Sequence, residues 1–132
     1  MKYLQDYTEK ATSKLFKDNG AFFAFSDKQF EEAKDKKIPN KDYCNMFAGM
    51  VAPKKNSDNI IAGLKKITKE GIKQDIKENG IIGIIKRELG NHECYYTGDY
   101  STAFESLDGY NITLNQVKEV YNTEKNKDEF NN

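Results

Sequence analysis

The sequence predicts a mainly α protein: a compact single helical domain of about six helices, with a short two-stranded β element near residues 43–52. Three observations favour this fold class. Apolar residues recur at helical spacing, capping-box and Asn-Gly signals punctuate them, and 132 residues is the length of one domain. We assign residues 1–121 to this domain and expect residues 122–132, which are polar and charged, to form a frayed or disordered tail.

The first predicted element is an amphipathic helix. Leu4, Tyr7, Ala11 and Leu15 recur at helical spacing with charged residues between them. Asn19-Gly20 is a suitable end for this helix, because glycine accepts the left-handed conformation that follows a helix C-terminus.

The next stretch, AFFAF at residues 21–25, is too apolar to stay exposed, which indicates a buried connector or a short strand. Ser26 and Gln29 then form a capping-box pattern, so a second helix should follow with Phe30 facing inward. Residues 43–52, YCNMFAGMVA, fit either a strand pair or one buried helix; Gly49 weakens the helical alternative, and extended structure is favoured.

The C-terminal half contains the strongest helical pattern, which begins near Ser57. Its apolar stripe drifts around the helix past Gly71, which predicts two helices or one kinked helix, with Asn79-Gly80 as the stop. A short helix over residues 81–89 is apolar on most sides and should be central. A second capping box begins at Thr113 and opens a last helix, whose predicted buried residues are Leu114, Val117, Val120 and Tyr121.

The amino-acid composition argues against several classes of function. The formal net charge is zero, from 21 basic and 21 acidic residues, and Arg87 is the only arginine. This balance argues against strong binding of nucleic acid or an anionic membrane by the whole chain, and against a nucleic-acid mimic. No apolar run is long enough to cross a bilayer, and the first residues lack a secretory signal. Cys44 and Cys94 are far apart, as suits buried thiols in a reducing cytoplasm.

The stretch GNHECYYTGDY, residues 90–100, contains the sole histidine. A metal site or an acid/base enzyme would use His92, Glu93 and Asp99, but the paired ligand spacing of metal sites is absent, so we expect no metal and no cofactor. Cys94 lacks the geometry of a cysteine nucleophile. In the favoured interpretation the stretch joins two helices, its tyrosines alternate between core and surface, and Asp99 caps the next helix.

Two surfaces are candidates for partner binding. Tyrosine gives a large contact area at low entropic cost, so the first surface is the patch His92, Tyr95, Tyr96 and Tyr100. The second is a lysine stripe on the helix after Asn59, formed by Lys66, Lys69, Lys73 and Lys77. This stripe is typical of a solvated helix face, and nucleic acid bound there would be held weakly and in a salt-dependent way.

Three blocks carry a family resemblance: GAFFAFSDKQFEEAK, GMVAPKKN, and KRELGNHECYYTGD with the Tyr-Asn-Ile-Thr that precedes the last helix. They resemble a group of small uncharacterised proteins encoded by bacteriophages, mobile elements and their bacterial hosts, over residues 20–121. The resemblance implies an accessory role, such as that of the anti-CRISPR proteins that inhibit host defence.

We therefore expect a non-enzymatic, cytoplasmic protein-binding module that inhibits or regulates a host protein, such as a CRISPR effector or another defence effector. Its partner and its oligomeric state are not readable from the sequence. Two alternatives stay open. One is a metal-dependent or acid/base enzyme using His92, Glu93 and Asp99, and the other is a weak nucleic-acid-binding accessory protein using the lysine stripe.

Overall fold

A computed structural model describes residues 2–131, with side chains for residues 2–127. The predicted fold class is confirmed, because six α-helices accompany one small sheet within these residues. The helices are α1 Leu4–Asp18, α2 Asp27–Ala33, α3 Ser57–Asn91, α4 Cys94–Thr97, α5 Ser101–Ser106 and α6 Leu114–Asn131; the strands are β1 Phe22–Phe23, β2 Tyr43–Phe47 and β3 Met50–Pro53. Each of these helices is too short or too polar to pass through a bilayer.

The chain divides into two compact units, each with its own core. The sheet unit is Thr8–Thr68, and the helical unit is Met1–Tyr7 together with Lys69–Asn132. Both boundaries fall inside helices, one within α1 and the other within α3. The single domain over residues 1–121 stays a prediction.

The sheet unit contains a three-stranded antiparallel sheet in the order β1-β3-β2. Of the two alternatives for residues 43–52, the strand pair is confirmed, since β2 pairs with β3 there. Ala48 and Gly49 form the turn between these strands, and their φ angles of +45° and +83° are the left-handed values that a two-residue hairpin turn requires. The short strand considered for residues 21–25 is β1, which adds a third strand beside β3.

The core of the sheet unit lies between its sheet and two helices. Met50, Ala52 and Ile60 are fully buried there. Leu15 of α1 approaches Gly63 of α3 so closely that a β-carbon on this glycine would stand 2.6 Å from Leu15 Cδ1. The glycine therefore permits this close packing, and a larger residue would push Leu15 away.

Aromatic rings occupy both faces of the sheet. Phe22, Phe30 and Tyr43 pack together on one face, with ring centroids 5.3 to 6.0 Å apart. Side chains alternate along a strand, so Phe23 points to the opposite face, where it is half exposed. Phe25 lies beyond the strand, stacks on Phe23 and is 74% exposed. The expectation that residues 21–25 are too apolar to stay exposed is therefore wrong for these two rings.

The helical unit contains the second part of α3 and the helices that follow it. The predicted stop at Asn79-Gly80 is present as a kink, since Gly80 has non-helical backbone angles of φ +69° and ψ +160° inside α3. The break or kink expected past Gly71 is wrong, because the backbone there stays helical up to Gly80. After the kink at Gly80, Ile84, Ile85 and Leu89 are buried, as expected for a central helix. Further buried residues complete the core: Ile72, Cys94, Ala103, Leu107, Tyr110, Ile112, Val117 and Tyr121.

Both predicted capping boxes are present. Ser26 Oγ accepts a hydrogen bond from the backbone N–H of Gln29 at 3.2 Å, and Thr113 Oγ1 accepts one from Gln116 at 3.1 Å. In return, each glutamine side chain accepts a backbone N–H that precedes its helix, at 2.7 Å before α2 and 2.8 Å before α6. Local side-chain chemistry therefore sets where both helices begin.

Helix α6 buries Val117 and Tyr121, as predicted, but Leu114 is half exposed. The prediction of its burial is wrong because Leu114 is the first residue of α6, before the turn that meets the core. The structure continues α6 to Asn131. Fraying of residues 122–132 in solution stays a prediction, and residue 132 and the side chains of residues 128–131 lie outside the described residues.

Candidate functional site

The predicted contact patch lies around α4, a single helical turn in the stretch that joins α3 to α5. Its residues are His92, Tyr95, Tyr96 and Tyr100. Glu93 has a left-handed φ of +53°, which redirects the chain after α3, and Gly98 at φ +76° ends α4. Two backbone reversals therefore fix how this turn presents its side chains.

The tyrosines of the patch have different surroundings. Tyr95 stacks parallel on Tyr121 of α6, with ring centroids 5.5 Å apart, and Tyr100 contacts the same ring at 5.2 Å. Tyr95 and Tyr100 are partly buried against the core of the helical unit. Tyr96 is 92% exposed. The predicted alternation between core and surface is present, and one ring stands open to solvent beside two packed ones.

His92 is tied to a buried carboxylate one helical turn before it. Its Nε2 lies 3.4 Å from Glu88 Oε2, and the imidazole is partly exposed. Ser106 Oγ also donates a hydrogen bond to Glu88 Oε2, at 3.3 Å. The histidine is therefore held in position by the protein.

Glu88 belongs to a buried charged network that the sequence patterns did not reveal. Asp75 is fully buried and accepts two hydrogen bonds from the Arg87 guanidinium, at 2.8 and 2.9 Å. The Tyr110 hydroxyl donates to Asp75 at 2.6 Å, and the Asn79 amide donates at 2.8 Å. Arg87 Nε donates to Glu88 at 2.9 Å. The only arginine of the chain is thus used inside the helical unit.

The contacts in this network shift the pKa values of Asp75 and Tyr110 in opposite directions. Burial by itself would raise the pKa of Asp75, but the hydrogen bonds from Arg87, Tyr110 and Asn79 outweigh it and hold that pKa below its ordinary value. Burial, together with the hydrogen bond to Asp75, raises the pKa of Tyr110. Among the described side chains, no buried nitrogen or oxygen lacks a hydrogen-bond partner. The network is therefore satisfied internally and acts as a structural support.

A sequence signal for this network did exist. Arg87 lies close after four isoleucines in residues 81–89, and a buried guanidinium needs a charged partner. That partner, Asp75, is 12 residues away across the kink at Gly80, and Tyr110 is 35 residues from Asp75. Spacing along the chain could not identify either of them.

The residues of the enzyme alternative are engaged separately. His92 faces Glu88, the side chain of Glu93 is exposed, and Asp99 Oδ1 accepts a hydrogen bond from the Ser101 backbone N–H at 2.9 Å. Asp99 therefore bonds the first N–H of α5, but the N-cap residue is Tyr100, so the prediction that Asp99 occupies the capping position is wrong by one residue. Over the side chains of residues 2–127, no three or more His, Cys, Asp or Glu side chains are grouped so as to hold a metal ion.

The lysine stripe does not fall within one unit. Lys66 lies in the sheet unit, whereas Lys69, Lys73 and Lys77 lie in the helical unit. All four side chains are exposed. The cysteines also differ, since Cys94 is buried as predicted but Cys44 is only partly buried.

Comparison with known protein families gives a match over most of the chain. Residues 4–128 match the model of DUF7659, a family of unknown function. No curated protein and no solved structure matches the chain. The match spans nearly the whole chain and both compact units.

Proposed function

The chain belongs to the DUF7659 family, and we propose that it is a non-enzymatic protein-binding module that acts through the patch around Tyr96. The observation that carries this proposal is the exposure of Tyr96, at 92%, on a helical turn whose two ends are fixed. An aromatic ring that adds nothing to its own core, on a backbone that is held in place, is typical of a contact residue.

The surroundings of Tyr96 support this proposal. Tyr95 and Tyr100 pack on Tyr121, so the backbone that presents Tyr96 is anchored to the core on both sides. His92 is restrained by Glu88 and is partly exposed, so it offers a polar contact beside the aromatic one. A binding surface that is ordered before it meets its partner loses less conformational entropy on binding.

We further propose that the partner is a host protein and that the chain is a phage or mobile-element accessory protein acting in the cytoplasm. The resemblance of the three sequence blocks to phage-encoded and mobile-element-encoded proteins supports this proposal. An inhibitor of a CRISPR or other defence effector fits it best, because such an inhibitor acts by occupying a surface and needs no catalytic group of its own.

Capture of the partner tests the binding surface. The immobilised chain is incubated with extract of the host cell, and bound proteins are quantified by mass spectrometry. We expect one protein to be enriched by the wild-type chain and lost by at least about tenfold with Tyr96→Ala, because exposed aromatic anchors contribute much of the binding energy. Ile82→Ala is the matched control, since Ile82 is 60% exposed in the same unit but lies outside the patch.

Three results would contradict the proposal: equal capture by Tyr96→Ala and wild type, equal loss with both variants, or turnover of a substrate by the pure chain that His92→Ala abolishes. The accessory role has its own test, in cells whose defence system blocks a phage. Expression of the chain should restore plaque formation, and Tyr96→Ala should not. Unchanged plaque formation across the defence systems of the host would remove the anti-defence role.

A further inference from the structure

The helical unit contains a surface cavity of about 660 Å³ where α5 turns towards α6. Phe104, Leu107 and Ile112 supply its apolar lining. The carboxylates Glu105 and Asp108 also line it, and both side chains are exposed. The cavity therefore combines an apolar surface with two negative charges.

These carboxylates lie without a cationic neighbour among the side chains of residues 2–127. Within the described side chains, neither Glu105 nor Asp108 forms an ion pair or a side-chain hydrogen bond. The sequence accounts for this, because residues 88–117 contain five carboxylates and no lysine or arginine. A net charge of zero over the whole chain concealed this strongly acidic segment.

The turn that forms the cavity is set by its backbone. Gly109 has φ +89°, and a β-carbon there would stand 3.2 Å from Ile72 Cδ1. Asn111 also has a left-handed φ, of +59°. The chain between α5 and α6 is thus held against the core, so the cavity exists before any ligand arrives.

We propose that this cavity takes a lysine or arginine side chain from the protein partner, so that the partner surface is basic. This inference rests on the proposed function and specifies the chemistry of its partner. Lysine and arginine carry a long apolar stem with a cationic head. The stem fits against Phe104, Leu107 and Ile112, while the head meets the unpaired carboxylates of Glu105 and Asp108.

A peptide titration tests this inference on the full-length chain. The probe is acetyl-Gly-Lys-Leu-Lys-Gly-amide, and the matching peptide with glutamate in place of lysine is the control ligand. In NMR spectra of the ¹⁵N-labelled chain, we expect shifts of the amides of residues 104–112 with the lysine peptide alone. Raising NaCl from about 50 mM to about 500 mM should weaken binding severalfold, because the charges are exposed and screened.

Matched variants locate the binding. Glu105→Gln with Asp108→Asn should weaken the lysine peptide by about tenfold, because it removes both charges that meet the cation. Glu9→Gln with Glu32→Gln removes two exposed carboxylates from the sheet unit and should leave binding unchanged. All substituted side chains are exposed, so the variants should retain the wild-type spectrum away from the changed sites.

Three outcomes would overturn the inference: equal shifts with both peptides, equal weakening by the two double variants, or no binding of the lysine peptide. Shifts of residues 104–112 that arise when the chain alone is concentrated would also overturn it, in favour of a second copy. Its failure is separable from that of the proposed function. If a partner is captured through Tyr96 but the lysine peptide does not bind, only the inference of a basic partner surface is contradicted. If the peptide binds but no partner is captured, only the proposed function is contradicted.

Discussion

The two compact units are stabilised by different interactions. The helical unit buries charge: among the described residues, Asp75, Arg87 and Glu88 are its buried charged side chains, and the Tyr110 hydroxyl donates a hydrogen bond to Asp75. The buried side chains described in the sheet unit are hydrophobic, and a group of aromatic rings packs on one face of its sheet. Both units therefore depend on apolar contacts, and the helical unit depends in addition on directional hydrogen bonds between buried polar groups.

This difference predicts how each unit tolerates change. A buried ion pair does little for stability compared with a well-packed apolar group, but the loss of one partner leaves an uncompensated charge. Apolar packing instead loses free energy in proportion to the atoms and volume removed. The helical unit should therefore respond sharply to single changes and to pH, whereas the sheet unit should respond in a graded way.

The largest expected effect is on the helical unit. Asp75→Asn keeps the size of the side chain but removes one of the two buried carboxylates that neutralise Arg87 and the one that accepts two of its hydrogen bonds, and should lower the free energy of unfolding by about 3–5 kcal/mol. Urea unfolding followed by circular dichroism measures it. Asp18→Asn is the control: it breaks the exposed Lys14–Asp18 pair in α1 and should change stability by no more than about 0.5 kcal/mol. Equal effects of the two variants would contradict the role of the network.

The second prediction concerns the sheet unit. Ile60→Ala removes a fully buried side chain and should lower the free energy of unfolding by about 2–4 kcal/mol, since it leaves a cavity. Ile60→Val should cost only about 1 kcal/mol, because most of the packing remains. The same urea titration measures both. If the two losses were equal, graded packing would not describe this core.

The third prediction is a pH response specific to the helical unit. The pKa of Asp75 is lowered in the folded chain, so its stabilising effect is complete above its ordinary value of 3.8 and is lost as pH falls further. The pKa of Tyr110 is raised, so its contribution is present below the ordinary value of 10.0 and is lost as pH rises above it. Thermal melts from pH 2 to pH 11 measure both effects.

Two variants test whether Asp75 and Tyr110 cause the loss of stability at the acid and alkaline ends of this pH profile. Asp75→Asn should flatten the acid limb relative to the wild-type chain, and Tyr110→Phe should flatten the alkaline limb. Ile60→Ala should lower the melting temperature at every pH without altering the shape of the profile, because it removes no ionisable group. A profile that keeps both limbs in Asp75→Asn and Tyr110→Phe would place the titrating groups elsewhere.

The smallest expected effect is a small increase in the free energy of unfolding, from one substitution in each unit. Ala48 and Glu93 both have left-handed backbone angles, which asparagine tolerates better than most residues. Ala48→Asn creates an Asn-Gly hairpin turn and should stabilise the chain by about 0.5–1 kcal/mol. Glu93→Asn should give a similar or smaller gain. A loss of stability in Ala48→Asn would mean that the turn has a different conformation.

Local signals predicted the parts of the fold that depend on neighbouring residues. The capping boxes at Ser26 and Thr113, the kink at Gly80 and the strand pair in residues 43–52 each follow from a few adjacent side chains or backbone preferences. The half-exposed Phe23 was not predicted, because its exposure depends on which elements cover the sheet.

The candidate site was predictable only in part. Tyr96 was named from composition, since a tyrosine-rich junction is suited to contact. The buried charged network of the same unit was not predicted, because the hydrogen bonds that join Asp75 to Arg87 and Tyr110 connect residues far apart in sequence. The acidic character of residues 88–117 was readable in principle, but a net charge summed over the whole chain averages it away.

The absence of lysine from residues 88–117 also has a practical consequence. Reagents that acylate primary amines have no target in this segment, so a fluorophore or a resin coupled through amines leaves Tyr96, Glu105 and Asp108 chemically unaltered. Carbodiimide coupling does react within the segment, since it activates the carboxylates there for attack by an amine. No lysine within the segment can supply that amine, so a cross-link formed there joins it to a lysine elsewhere in the chain or in a bound partner.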